Sequence, residues 1–202
     1  MSVTCQGGDV QFEFVADRPA LNFLPTIAAR GTVDEEKLRS ELDLADWIVQ
    51  SGILDRPPRI DLADLARVKA LREAIYRMVV ALINHGRVDP ADRVLVNLAA
   101  AAPPPVLRLD EDGLHRDGDL DAVLAVLAAD CLDLYASPDQ DLLRWCADET
   151  CTRAFIDRSR GQRRRWCGMK GCGDRAKAAA YRQRQRPPLE RRAPTHEPNP
   201  EH

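Results

Sequence analysis

The sequence predicts an α+β chain, with a predominantly α-helical body carrying small β elements over residues 1–140 and a compact cysteine-built module over residues 141–186. Three observations carry that reading. Apolar residues recur at steps of three and four through much of the first 140 positions, as in helices that bury one face. The phrase Arg-Trp-Cys, four residues, Cys occurs twice, as Arg144-Trp145-Cys146 closing at Cys151 and Arg165-Trp166-Cys167 closing at Cys172. Charge is divided as well. Residues 144–192 hold fifteen Lys/Arg against five acids, so the remainder carries −13 in a chain of formal charge −3.

In chain order, Val10 to Val15 alternates enough to predict a short strand. Residues 20–27 are apolar, but Pro25 limits any helix or central strand there. Residues 42–54, with Leu44, Ala45, Ile48 and Val49 on one side, predict a short helix stopped near Gly52, and Pro57-Pro58 enforces a loop. The clearest stripe is Leu65, Val68, Leu71, Ile75, Met78 and Leu82, a helix from Asp64 ending at Asn84-His85-Gly86 with a left-handed C-cap. Pro90 opens another helix through Val94, Leu95 and Leu98. Residues 106–109 and 114–116 flank Asp112-Gly113, a hairpin turn pair. Asp119 or Asp121 then caps a helix whose stripe is Leu120, Leu124, Leu127, Cys131 and Leu134, and Ser137-Pro138 ends it. Prolines crowd residues 187–202, which predicts a disordered tail.

The cysteines suggest metal chemistry. No run approaches the ~18 to 20 continuous apolar residues of a membrane span. Residues 1–10 show no basic stretch leading into an apolar one, so no export signal is expected. In a reducing cytoplasm, close cysteine pairs favour metal over disulfides or free buried thiols. Cys146, Cys151, Cys167 and Cys172 can supply four soft ligands to one structural zinc, and four thiolates leave no open position for a catalytic water. The 15 residues between the pairs leave room for a hairpin, with residues 155–157 and 163–166 as its strands and Ser159-Arg160-Gly161 as its turn. Asp174 is placed to cap a helix running to Arg186, with Ala176, Ala179 and Ala180 packed on the knuckles. Knuckle, hairpin, knuckle, helix is a treble-clef-like order. Cys131, on an apolar stripe, reads as core, and Cys5 is uninformative.

Arginine's planar fork suits phosphate and guanine edges. The candidate nucleic-acid contacts are Arg163, Arg164, Arg165, Lys170, Arg175, Lys177, Arg182, Arg184 and Arg186. The competing reading docks these cations on the acidic body or on another protein.

The stretch from Arg164 to Arg175, continuing into Lys177 and Tyr181-Arg182, resembles the CGNR zinc-finger family. The Cys-Gly-Asn-Arg motif of that family falls on Cys172, Gly173, Asp174 and Arg175, and Cys146, Cys151, Phe155, Asp157 and Ser159 match its upstream context. The body is similar to the ABATE-type domain that precedes this finger in bacterial stress-induced transcription regulators. That likeness rests on Ala20-Leu21-Asn22-Phe23-Leu24-Pro25-Thr26, Leu44-Ala45-Asp46-Trp47 and Leu71-Arg72-Glu73-Ala74. Two departures stand out: Asp174 replaces the motif's Asn, and Pro25 replaces an Asn before the Thr. The resemblance implies a DNA-binding regulator whose body senses a signal.

The expectation is therefore a zinc-containing, DNA-binding transcriptional regulator of the bacterial cytoplasm. Duplex DNA, a small-molecule effector in the body and a second copy of the chain are its expected partners. The alternative is a zinc-stabilised protein- or RNA-interaction module without sequence-specific DNA binding. An enzyme is not expected: His85, His115, His196 and His202 form no pair at ligand spacing, and the chain has no phosphate-binding glycine loop or nucleophile elbow.

Overall fold

A computed structural model describes residues 11–185, in which two long helices organise the body. Cys5, Arg186 and the Pro-rich tail lie outside the described residues. In order, the body contains α1 (Pro19–Phe23), a 3-10 turn (Leu24–Thr26), β1 (Ile27–Ala28), β2 (Glu35–Glu36), α2 (Glu41–Gln50), α3 (Leu62–Ile83), α4 (Pro90–Ala100), β3 (Val106–Asp110), β4 (Gly113–Asp117) and α5 (Leu120–Ala136). A second 3-10 turn (Pro138–Leu142) leads into β5 (Leu143–Trp145), β6 (Ala154–Ile156), a tight turn (Met169–Gly173) and α6 (Asp174–Gln185). The strands form three separate antiparallel pairs, β1–β2, β3–β4 and β5–β6.

Local chemistry sets the helix boundaries. Ser40 with Asp43, and Asp61 with Asp64, make reciprocal capping boxes at the starts of α2 and α3. Asp89 caps α4, whose first residue is Pro90, and Asp119 rather than Asp121 caps α5. Helix α3 ends through a left-handed residue, as its last residues suggest, but the φ of +51° belongs to His85 and not to Gly86. The hairpin loop is also displaced by one position: Asp110 pairs with Gly113, so Glu111-Asp112 forms the loop.

The expected strand at 10–15 does not form. Val10 lies outside the described residues, and residues 11–15 join no sheet. Instead Phe12 and Phe14 pack against the core, with the Phe14 ring 6.2 Å from Trp47. Burial of the two aromatics decides this segment, because no neighbouring strand is there to pair with its backbone.

Helix α5 is the centre of the body, with α1, α3 and α4 packed on it. Its five stripe residues are all buried, and so are Val123, Ala125 and Ala128, so more than one face is covered. Trp47 lies fully buried against Phe23, with ring centroids 5.0 Å apart. The α2 stripe runs through Leu44, Trp47 and Ile48, leaving Val49 exposed.

Two buried arginines were not apparent from the stripes. Arg72 lies on α3 with only 2% of its surface exposed; it donates to Glu36 at 2.7 and 2.8 Å, to Thr26 at 3.0 Å and to Glu73 at 2.9 Å. Arg30 holds the other side of Glu73 at 2.7 and 3.0 Å. Burial opposes ionisation of Glu36 and Glu73, but the arginine hydrogen bonds outweigh it, and both carboxyls sit below their usual range. Arg18 reaches Asp130, Asp133 and Asp139 at 3.0, 2.6 and 2.9 Å. These ion pairs offset the desolvation of the charges they bury, and removing one partner would leave the other stranded.

Candidate metal centre and basic face

The C-terminal module grows directly from the body. Leu143, Ala154 and Ile156 belong to the body's apolar core, while Phe155, on the opposite face of β6, packs with Cys146, Cys167 and Cys172. One short strand thus serves two cores. Further ties cross the junction: Tyr76 and Trp145 rings lie 6.0 Å apart, Arg30 sits over Tyr76 at 4.2 Å, and Asp139 accepts from both Arg18 and Arg158. Arg153 pairs with Glu13.

The expected hairpin between the cysteine pairs is replaced by a different pairing. Residues 163–166 form no strand, and β6 pairs with β5 in the register Leu143↔Ile156 and Trp145↔Ala154. The first cysteine pair is therefore enclosed by the hairpin instead of preceding it. Residues 157–166 are shaped by Asp157, whose Oδ1 accepts from Ser159 N at 3.0 Å and Ser159 Oγ at 2.5 Å, and whose Oδ2 accepts from Arg164 N at 2.9 Å. An Asx turn of this kind satisfies the backbone locally and competes with a second strand.

The four thiols converge. The sulfurs of Cys146, Cys151, Cys167 and Cys172 all lie within 4.8 Å of one another, with Cys151–Cys167 and Cys167–Cys172 both at 3.7 Å. Zinc–sulfur bonds of ~2.3 Å in a tetrahedron require sulfur–sulfur edges of about 3.8 Å. The set fits one structural zinc, as the spacing predicted, with all four positions filled by protein. Cys146, Cys167 and Cys172 are buried and Cys151 is half-buried. A hydrogen bond from Cys151, reinforced by Cys172, Cys146 and Arg153, draws Cys167 down to about 5, while burial pushes Cys172 up to about 12. Zinc supplies the positive charge that lets all four ionise together.

The Cys172-Gly173-Asp174-Arg175 segment has a distinct task at each position. Gly171 adopts φ +87°, turning the knuckle. At Gly173 a Cβ would lie 3.2 Å from Met169 Sδ and 3.3 Å from Gly168 O, so a side chain would press on the knuckle. Arg175 donates to Cys172 Sγ at 3.0 Å and to Asp148 at 2.9 Å, tying the second knuckle to the first. Asp174 does not cap α6 as expected. It already has helical dihedrals, φ −71° and ψ −37°, because the Met169–Gly173 turn runs straight into the helix. Its carboxylate is exposed and lies 3.7 Å from Lys177.

The candidate cations divide into two groups. Arg164 is bound into the finger, donating to Trp166 O at 2.9 Å and to Cys167 O while stacking 4.5 Å over Phe155. Arg175 is the thiolate donor just described. Arg163, Arg165, Lys170, Lys177, Arg182 and Arg184 are exposed, with Arg165 lying 5.3 Å over Trp166. Arg186 is outside the described residues. Helix α6 buries no residue: Ala176 is half-covered, whereas Ala179 and Ala180, expected against the knuckles, are exposed. Asp148 and Arg153 carry no motif that marks them in the sequence. Asp148 takes an Asx turn with Thr150 at 3.0 Å, and its place within the first cysteine pair was the available signal.

Comparison with known families agrees with this geometry. Residues 17–138 match the ABATE family, described as "Putative stress-induced transcription regulator", and residues 143–185 match the CGNR zinc finger. A search of curated proteins returned no match. Among the described residues no helix is long and apolar enough to cross a membrane. With an ABATE model covering more than half of its length and the finger following in order, the chain belongs to the ABATE family and ends in a CGNR zinc finger.

Proposed function

We propose that this protein is a DNA-binding transcription regulator that meets duplex DNA with α6 and the second knuckle. The observation that carries the reading is the isolation of α6. A twelve-residue helix bearing Lys177, Arg182 and Arg184 leaves the metal centre with no residue buried; it packs on the turn that precedes it and is tied to the first knuckle through Arg175. Arg163, Arg165 and Lys170 add charge from the adjoining loop, and among the described residues none of these three is ion-paired. The cations that hold the finger together, Arg164 and Arg175, are left out of the footprint. A helix of this kind suits the major groove, and zinc fixes its base.

The test is binding of the zinc-loaded chain to a random duplex at several salt concentrations. Contact with about six phosphates gives a log–log salt slope of roughly −5. Arg182→Ala/Arg184→Ala should lower both affinity and slope while zinc content stays unchanged. Equal binding by the variant at every salt concentration removes α6 as the reader.

The signal-sensing role belongs, on the same reading, to a groove of about 840 Å³ between α3, α4 and α5. Met78, Val88 and Leu132 form its apolar part and Arg87 and Arg93 its polar edge, a combination suited to an amphipathic anion. Saturable enhancement of anilinonaphthalene sulfonate fluorescence that weakens in Arg87→Ala/Arg93→Ala would support it; identical curves for the two proteins would exclude it.

A further inference from the structure

We infer that β3 is a dimerisation strand that pairs antiparallel with β3 of a second copy across a two-fold axis at Arg108. Exposed apolar side chains are unevenly distributed: seven of the thirteen large ones lie between Val94 and Leu114. Strand β3 is exposed at every residue, with Leu107 and Leu109 at 64% and 78%. The outer side of its hairpin partner β4 is taken at Arg116, which exchanges backbone and carboxylate hydrogen bonds with Asp55 at 3.1 and 2.7 Å. Among the described residues nothing takes the outer side of β3. A two-stranded ribbon is marginal alone, and an open apolar edge is a template for another strand.

The free backbone groups specify the partner. The two-residue loop closes on the Asp110–Gly113 pair, so Asp110, Arg108 and Val106 direct their N–H and C=O groups to β4. Leu107 and Leu109 direct theirs outward. A two-fold arrangement that uses both must set Leu107 opposite Leu109 of the second copy, twice, with Arg108 at the axis. The strand is its own complement in that register. Four outward N–H and C=O groups on each copy find partners, and four leucines meet on one face with Leu114 beside them. On the other face the two Arg108 side chains stand directly opposite each other, a like-charge contact that costs stability, and it is offset because each is paired with Asp110 of its own chain at 2.5 Å and lies diagonal to Asp110 of the second copy. Contacts of this kind are isologous and close at two subunits. Another protein's strand would have no reason to match this order of leucine, arginine, leucine and aspartate.

The inference stands apart from the DNA reading, because it is tested without nucleic acid. Light scattering of the zinc-loaded full chain should give twice the 22.5 kDa chain mass at tens of micromolar. Leu107→Pro removes one outward N–H and no bond to β4, so it should halve the mass while helix content and zinc are kept. Leu107→Lys/Leu109→Lys should do the same. Arg108→Cys brings two thiols together at the axis, within disulfide reach for directly opposed residues. Mild oxidation should cross-link it, whereas a Cys at exposed Leu62 should stay single. A monomeric wild type overturns the proposal, as does a dimer that survives Leu107→Lys/Leu109→Lys or fails to cross-link through position 108.

Discussion

The body and the finger close their cores by different means. The body closes around α5 with aliphatic side chains and Trp47, and its buried charges are paired across distant parts of the chain. The finger's own cluster contains one fully buried aromatic, Phe155, and three buried cysteines, with Trp166 and Cys151 partly covered. Few apolar groups are available there, so the metal, Asx turns at Asp148 and Asp157, and the guanidinium of Arg164 supply the order. Cohesion in the two parts therefore responds to different perturbations, although β6 is shared between them.

The largest expected effect separates the two directly. Cys167→Ser, or chelation of the metal, should abolish order in the finger, since structural zinc contributes on the order of 10–16 kcal/mol of apparent free energy in small modules. Helical circular dichroism from the body should persist, and amide exchange should become fast only after residue 143. Loss of the whole fold would mean that β6 makes the two inseparable. Next, Trp47→Ala should cost about 3–5 kcal/mol in chemical denaturation by opening a cavity in the body. Zinc affinity should then change little; a parallel loss would mean that the finger depends on the body's core.

A smaller effect is expected at Arg164→Ala, which strands the carbonyls of Trp166 and Cys167 and uncovers Phe155. A loss of about 1–3 kcal/mol, read as weaker zinc retention against a competing chelator, follows from unsatisfied acceptors beside the ligands. Acid should act on the body through Glu36 and Glu73. Their folded values are depressed, so their contribution is complete above the unfolded carboxyl value near ~4.3 and is lost as pH falls through the lower folded values. Asp130, raised by burial, acts in the opposite sense. In the zinc-free Cys167→Ser chain the denaturation midpoint should hold above that value and drop below it. If Arg72→Met steepens this acid loss instead of flattening it, the pairing of Arg72 with the two carboxylates is not its source. Smallest of all, Arg182→Ala/Arg184→Ala should shift stability by less than about 0.5 kcal/mol, because both residues lie exposed on α6.

Much of this arrangement was legible in sequence where the signal is local. The α3 stripe and its left-handed end, Pro90 at the start of α4, and the paired cysteines each depend on residues a few positions apart. The finger's strand pairing is not legible in sequence, because Phe155-Ile156 followed by an Arg-rich segment satisfies hairpin composition equally well. Only the fold shows that Leu143 to Trp145 is nearer and that Asp157 has already turned the chain. The role of Arg175 was hidden for a related reason: a basic residue at a helix start looks the same whether it faces phosphate or a thiolate.

The stripes of α3 and α5 and the four metal ligands follow from local sequence, since helical periodicity and the spacing within each cysteine pair act over one or two turns of chain. Tertiary structure decided which charges are structural and which are free. Arg18 meets Asp130 and Asp133 more than 110 positions away, Arg175 meets Asp148 across the metal, and α6 is left bare. The reason is physical: an arginine's partner is chosen by where desolvation must be offset, and that place exists only once distant segments have packed.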